Sequence, residues 1–214
     1  MRITPKIDRD DASAVTTLSA LRSAEARCTR CPLYRSATQV VPGEGPARAA
    51  MMLVGEQPGD QEDLAGAPFV GPAGRILDRA LEQAGIARTE VFVTNAVKHF
   101  KHEMRGKRRL HKRPNVYEIE RCRWWLEQER EIVRPAAIVA LGATAARSVL
   151  GRTVSISRTR GHPQRLADGT AAIVTIHPSL LLRIKDAADK EREYESLVSD
   201  LRQASKVPAT VGSG

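Results

Sequence analysis

The chain has 214 residues, which is enough for one compact domain with a substantial buried core. No apolar run approaches the about 18 residues that a membrane-spanning helix requires, and the N-terminal residues lack the apolar segment of a secretory signal. We therefore expect a cytoplasmic protein that binds no membrane. The net charge of +9 favours a polyanionic partner.

Four short apolar runs alternate with segments of helical periodicity. The runs predict strands at residues 51–54, 91–94, 137–141 and 172–176. The helical segments lie at residues 72–84, from Pro114 to just before Pro135, at 143–150, and around Tyr194 to Leu201. This alternation predicts one α/β domain over residues 1–206, with a central four-stranded, mainly parallel sheet between two helical layers. The small, polar residues 207–214 predict a disordered tail.

Three unusual segments directly follow predicted strands. Residues 55–60 follow the first strand, 95–113 the second and 177–183 the fourth. In a parallel sheet the active site lies beyond the carboxyl ends of the strands, so these segments are expected to meet there. Gly55, Pro58 and Gly59 in the first segment predict either a backbone that approaches a ligand closely or a turn that needs these residues only for its conformation.

The second of these segments is strongly basic. Its cationic residues, opposed by Glu103 alone, are Lys98, Lys101, Arg105, Lys107, Arg108, Arg109, Lys112 and Arg113. A solvated helix face would alternate the signs of its charges, and this segment does not. We interpret it as a loop that contacts phosphates, with binding that weakens as the salt concentration rises.

The sequence GEQPGDQED at residues 55–63, followed by GAPFVGPAG at 66–74, resembles the signature of the iron–sulfur uracil-DNA glycosylases. These enzymes are the family 4-like branch of the uracil-DNA glycosylase superfamily. The resemblance continues through TNAVK at 94–98 and HPS at 177–179, in the family's order, and implies that family's three-layer α/β/α fold. The segment KRRLHK at 107–112 is similar to the X-type branch, UdgX, whose members become covalently attached to the DNA on which they act.

The resemblance implies a base-reading role for Asn95, whose amide would bind the N3–H and O4 of a flipped uracil. Phe69 matches the aromatic residue on which uracil stacks. The backbone around Gly55, Gln57 and Gly59 would complete the pocket. From the residues alone, an asparagine that closes a strand and a phenylalanine that belongs to the core are open interpretations.

Four residues match catalytic positions of the resembling family. His177 would donate a hydrogen bond to uracil O2 as the glycosidic bond breaks. His111 would capture the sugar cation at C1′ while Glu56 accepts the proton from its other ring nitrogen. The result would be a persistent His111–deoxyribose bond after a single turnover. Asp60 lies where related enzymes place groups that handle water. The alternative for His111 is a phosphate contact, with water as the nucleophile.

The expected partner is uracil-containing DNA, preferably single-stranded, and the protein is expected to be a monomer. The predicted DNA contacts are Lys107, Arg108, Arg109 and Lys112 in the basic segment, and Ser179 and Arg183 after the last strand. Three alternatives stay open at this point. They are a conventional multiple-turnover glycosylase, a protein that binds uracil-DNA without cleaving it, and a module that binds single strands without regard to sequence.

The cysteine count is three, and an odd count argues for metal ligation or free thiols rather than a disulfide framework. Cys28 and Cys31 form a CxxC pair, and the resembling enzymes use four cysteines. His99 stands where that family carries its third cysteine. The resemblance therefore implies a structural site of Cys28, Cys31, His99 and Cys122 that holds a [4Fe–4S] cluster. Zinc is the second candidate, because three cysteines and a histidine also bind zinc.

Overall fold

The structure, a computed structural model, describes residues 15–208. Its helices are α1 (Leu18–Glu25), α2 (Asp60–Ala65), α3 (Pro72–Ala84), α4 (Val116–Val133), α5 (Ala143–Leu150), α6 (Ile156–Thr159) and α7 (Ala187–Ser205). Its strands are β1 (Met51–Gly55), β2 (Val91–Asn95), β3 (His102–Arg105), β4 (Arg108–His111), β5 (Ala137–Leu141), β6 (Gln164–Arg165) and β7 (Ala171–Thr175). Between residues 15 and 208, no helix combines the length and the apolar character needed to cross a bilayer. The predicted tail lies outside the described residues from position 209 onward.

The central sheet has the strand order β2-β1-β5-β7-β6. Its first four strands are parallel, in a register that aligns Met51 with Val91 and with Ala137. They are the four predicted strands, each placed to within one residue at either end. β6 adds a fifth, antiparallel strand at the edge. The sequence analysis did not predict β6, because two polar residues carry no hydrophobic pattern.

Alternate residues of the central strands face two different helical layers. Met52 and Val54 belong to one hydrophobic cluster with Leu126 of α4 and Ala145 of α5. Leu53 belongs to a second cluster, which includes the apolar faces of α3 and α7. Since strands that are buried on both faces need helices on both sides, this arrangement confirms the predicted three-layer α/β/α fold.

The helix ends follow local sequence rules, with one correction. Pro114 was expected at the first helical position of α4, but it precedes the N-cap residue Asn115. The Asn115 side chain accepts a 2.9 Å hydrogen bond from the N–H of Glu118, and the Glu118 carboxylate accepts a 2.7 Å bond from the Asn115 N–H. This capping box satisfies two free donors, so α4 begins after Asn115. Gly85 ends α3 as predicted, at a φ of 76°.

The basic segment folds as an antiparallel hairpin of β3 and β4, not as the predicted loop. Its turn contains Gly106 at a φ of 60°, and its register pairs His102 with His111. The interpretation of Lys98 as a phosphate contact is wrong. Its side chain is fully buried, and its Nζ lies 2.6 Å from a carboxylate oxygen of Glu129. An ammonium group in that position cannot reach a phosphate.

Candidate active site and cysteine cluster

The predicted site residues lie where the four parallel strands end. Gly55 ends β1 and is aligned in register with Asn95, which ends β2. Thr144 follows β5 in the first turn of α5, and His177 follows β7. Because the carboxyl ends of parallel strands share one edge of the sheet, side chains from four separate segments meet in one place.

Gly55, Phe69 and Asn95 form a tightly packed group at this edge. A Cβ atom on Gly55 would lie 2.3 Å from Asn95 Oδ1 and 2.7 Å from the ring of Phe69, so only glycine fits. Phe69 itself has a φ of 57°, a conformation that is strained for a residue with a side chain. A Cβ on Gly74 would meet the Phe69 carbonyl oxygen at 1.6 Å, so α3 packs directly against this strained peptide. The geometry fixes the aromatic ring beside the amide of Asn95.

His177 faces the same ring. Its imidazole stacks on Phe69 with the ring centroids 5.9 Å apart. The N–H of Ser179 donates a 3.2 Å hydrogen bond to His177 Nδ1, and the Ser179 hydroxyl lies 2.8 Å from the same nitrogen. Burial lowers the pKa of His177 to about 4; the charges of His111 and Arg183 act in the same direction, whereas Glu56 opposes them. His177 is therefore neutral near pH 7, with its proton on Nε2 available to a ligand.

The lowered pKa of His177 makes the stability of the fold depend on pH. His177 has the ordinary histidine pKa of 6.5 in the unfolded chain and a pKa of about 4 in the folded protein. Between pH 6.5 and about pH 4, it is therefore protonated in the unfolded chain and neutral in the folded protein. Acid therefore favours unfolding, and the contribution of His177 to the free energy of unfolding falls by up to roughly 3 kcal/mol across that window. Urea denaturation of the wild type and of His177→Gln at pH 7 and pH 4 measures this change. The difference between the two proteins should shrink or reverse in acid, and a difference that stays constant would contradict the assignment.

Glu56 lies between the sheet edge and the hairpin. Its Oε1 is 3.4 Å from His111 Nε2, and its Oε2 accepts a 2.5 Å hydrogen bond from the Thr144 hydroxyl. Arg113 Nε lies 3.6 Å from Oε2. Burial alone would raise the pKa of Glu56, but the hydrogen bonds from His111 and Thr144 and the charges of His111 and Arg113 outweigh it and leave the pKa lowered. Glu56 is thus a carboxylate that faces one ring nitrogen of His111.

Gln57 holds the base of the hairpin. Its side-chain amide donates to the carbonyl oxygens of Lys101 and Lys112, at 3.1 and 3.2 Å, and accepts from the Lys101 N–H at 3.2 Å. These two residues flank the hairpin on either side. The side chain of Gln57 is therefore occupied with the hairpin, and the predicted role of its backbone toward a ligand stays a prediction.

Arg109 ties the outer part of the hairpin to α2. Its guanidinium lies 2.6 Å from Asp60 Oδ1 and 2.6 Å from Asp63 Oδ2. Arg109, predicted to contact DNA, and Asp60, predicted to handle water, therefore form an ion pair with each other. Asp60 keeps half of its side chain exposed, and Gly59 precedes it as the N-cap of α2.

His111 sits at the end of β4 with 51% of its side chain exposed. Its ring centroid is 6.2 Å from that of the buried Phe100. Lys112 forms an ion pair with Glu103 on the surface of the hairpin. The other predicted DNA contacts that lie on the surface are exposed Lys107, Arg108 and Arg183, and half-buried Ser179.

The three cysteines lie in one buried hydrophobic cluster with Trp125. Trp125 Nε1 donates a 3.1 Å hydrogen bond to Cys28 Sγ, and the N–H of Lys98 donates a 3.2 Å bond to Cys122 Sγ. Burial raises the pKa of Cys31 and of Cys122, and a charge on Cys28 would raise both further. Neighbouring thiols with N–H donors aimed at sulfur suit thiolate ligation of a metal.

His99 is buried, and burial lowers its pKa while the charge of Asp63 opposes that change. Across residues 15–208, no three Cys, His, Asp or Glu side chains are already arranged as a metal site. The predicted ligand set therefore consists of three neighbouring thiols and a buried, neutral histidine, without a formed coordination sphere.

Two residues that contact predicted site residues escaped the sequence analysis. Thr144 supports Glu56, and Asp63 anchors Arg109. Thr144 had a usable signal, because Gly142 and Thr144 directly follow the third predicted strand at the same edge of the sheet. For Asp63 the sequence offered no signal beyond its place in the GEQPGDQED motif, because its partner Arg109 lies 46 residues away along the chain.

Comparison with known proteins agrees with this geometry. Residues 42–202 match the Uracil DNA glycosylase superfamily. The chain is 42% identical over 158 residues to a type-4 uracil-DNA glycosylase of Thermotoga maritima, covering 73% of this chain and 79% of that protein. It is 37% identical over 163 residues to one of Pyrobaculum aerophilum (73% and 80%), and 34% identical over 176 residues to one of Archaeoglobus fulgidus (79% and 83%). Both the family match and these identities extend over most of the chain, and on that ground it belongs to the uracil-DNA glycosylase superfamily.

Proposed function

We propose that this protein excises uracil from DNA and then remains covalently bound to the sugar through His111. The observation that carries the proposal is the contact of His111 with the Glu56 carboxylate, 3.4 Å away, beside the group formed by Asn95, Phe69 and His177. The half-buried carboxylate of Glu56 faces one ring nitrogen of His111, which suits a histidine that must give up a proton as it bonds to carbon. Relatives named type-4 uracil-DNA glycosylases support the excision step.

Recognition begins with a uracil that has left the base stack. The ring of Phe69 supplies the stacking surface, and the amide of Asn95 supplies one acceptor for uracil N3–H and one donor for O4. Gly55 leaves the space that the amide of Asn95 and the ring of Phe69 occupy. Cytosine presents the opposite donor and acceptor pattern, so an amide that is held in the orientation suited to uracil rejects cytosine.

Bond cleavage places both bonding electrons on uracil and a positive charge on the sugar. A neutral His177, with its proton on Nε2, donates a hydrogen bond to uracil O2 and stabilises the departing anion. One such donor in a dehydrated site is worth about 3 kcal/mol of barrier, or roughly 100-fold in rate. The carboxylate of Glu56, which faces His111, would stabilise the sugar cation electrostatically.

Capture then completes the reaction. The lone pair of the His111 nitrogen that does not face Glu56 forms a bond to C1′. The proton on the other nitrogen passes to Glu56 and is returned through water to the uracil anion. The products are neutral uracil and a neutral N-alkyl imidazole, which is a poor leaving group, so the bond persists.

The cysteine cluster is proposed to hold a [4Fe–4S] cluster through Cys28, Cys31 and Cys122, with His99 as the fourth ligand. Bound there, the group would supply a cross-link between the segment after α1 and α4, not a step in the reaction. Iron and sulfide analysis, with visible absorption of anaerobically purified protein, tests this assignment. Stoichiometric zinc in a colourless protein would replace it with the Cys₃His zinc site.

A denaturing gel tests the function directly. The protein is mixed with a uracil-containing single-stranded oligonucleotide, with its duplex, and with matched thymine controls. A slow band that depends on uracil, survives heat and detergent, and maps to His111 by peptide mass is the expected result. The single strand should react faster, because its uracil needs no unpairing. Free uracil in excess of enzyme without a band would indicate a conventional glycosylase, and intact uracil–sugar bonds would indicate a protein that only binds.

A further inference from the structure

The buried Lys98 connects two parts of the molecule that the proposed function treats separately. Its side chain has no exposed surface, and its Nζ donates to Thr94 Oγ1, Glu129 Oε2 and the carbonyl oxygen of Asn95, at 2.5, 2.6 and 3.1 Å. Its backbone N–H donates to Cys122. All three protons of the ammonium group are therefore directed at fixed acceptors, one of which belongs to the residue expected to read the base.

The side chains that contact Lys98, those of Thr94 and Glu129, form further hydrogen bonds of their own. Thr94 donates its hydroxyl proton to Glu129 Oε1 at 3.0 Å, and the N–H of Gly43 donates to the same oxygen at 3.0 Å. Burial raises the pKa of the nearby Glu25 to about 8, and Glu129 is the carboxylate that pairs with Lys98, at 2.6 Å. The network joins β2 to α4 and to the segment before β1.

A buried ion pair of this kind is poor evidence for added stability. The free energy needed to remove two charges from water is about as large as the free energy gained from their attraction. Apolar side chains of the same size often stabilise a core equally well. Apolar side chains, however, offer no hydrogen-bond donor that could fix the position of a carbonyl oxygen. The ammonium group holds the carbonyl of Asn95, at the strand end where its amide lies against Gly55 and Phe69.

We propose that Lys98, held by Glu129 and Thr94, is a positioning residue that aims the amide of Asn95 at the base. This inference rests on the proposed function, because it assumes that Asn95 binds uracil. Without the ammonium contact, the peptide of Asn95 gains freedom and its amide loses the fixed direction that base reading requires. A misplacement of about 1 Å in such a group lowers the rate by about 100-fold.

The test measures uracil removal with enzyme in excess over the oligonucleotide, counting free uracil, so that covalent trapping does not limit the result. Lys98→Met combined with Glu129→Gln removes both charges and leaves no unpaired ion. Thr94→Val removes the bridging hydroxyl, and Thr94→Ser restores it. Leu201→Ala creates a cavity in the core where α7 packs on the sheet. It serves as a control that lowers stability without changing the Lys98 network. Each variant is also measured for inhibition by free uracil, for melting temperature and for visible absorption.

The expected result is a maximal rate that falls about 10- to 100-fold in the double variant and less steeply in Thr94→Val, with weaker inhibition by free uracil. The enzyme concentration at half-saturation with DNA should not change, and Thr94→Ser and Leu201→Ala should keep the wild-type rate. Wild-type rates and uracil inhibition in the double variant would overturn the inference, as would a rate loss that accompanies lost visible absorption. A wild-type protein that releases no uracil would instead refute the proposed function on which the inference rests.

Discussion

His111→Ser should release many uracils per enzyme, whereas the wild type should release one. Serine leaves the recognition pocket and His177 in place, so the glycosidic bond still breaks. The nucleophile that occupied the path to C1′ is gone, and water reaches the sugar cation instead. Asp60, half exposed beside the hairpin, is the group proposed to activate that water. The product becomes an abasic site, and the heat-stable band disappears from the gel.

Counting free uracil against enzyme over time measures this conversion. His162→Ser, which removes an exposed histidine far along the chain from the hairpin, is the matched control and should still stop after one uracil. Asp60→Asn added to His111→Ser should slow the restored turnover. An inert His111→Ser protein that keeps its fold and visible absorption would show that His111 is needed to break the bond, and capture would then be the wrong role.

Asn95→Ala should lower the rate of uracil removal by about 100- to 1,000-fold. The change removes both hydrogen bonds to the base edge, and it opens a space where the amide now lies against Gly55. Affinity for DNA without uracil should stay the same, since that binding depends on phosphate contacts elsewhere. Single-turnover kinetics on the uracil oligonucleotide, beside salt-matched binding to the thymine oligonucleotide, separates the two effects.

A second asparagine provides the control for this experiment. Asn115→Ala removes the cap of α4 and should cost about 1 kcal/mol of stability without a change in the rate. If Asn95→Ala behaved like Asn115→Ala, with lower stability and an unchanged rate, then Asn95 would only close its strand. That was one of the two interpretations that the residues alone left open.

The strands and the residues that follow them could be predicted because they depend on local patterns. Each apolar run is bounded by polar or small residues, and parallel strands bring Gly55, Asn95 and His177 to one edge without any knowledge of distances. The helices α3 and α5 followed from apolar spacing and from the glycines that end them, Gly85 and Gly151. These features need only neighbours within a few positions along the chain.

What could not be predicted depends on partners that are distant in sequence. Lys98 belongs by sequence to the basic segment, and only Glu129, 31 residues later, makes it a core residue. The hairpin was missed because its strands carry charges on both faces and so lack an apolar alternation. The ion pairs of Arg109 in β4 with Asp60 and Asp63 of α2 escaped prediction for the same reason, and its role as a DNA contact stays a prediction.

The hydrogen bonds of Gln57 have a thermodynamic consequence. Gln57 follows directly after Glu56 at the end of β1, and its side chain grips both ends of the segment that carries His111. A ligand that orders the backbone of residues 55–59 therefore also orders the hairpin. By linkage, an ordered hairpin must favour that ligand by the same factor. Occupancy of the pocket and the position of His111 are then linked in one equilibrium, so a base that binds the pocket weakly would also do less to order the proposed nucleophile.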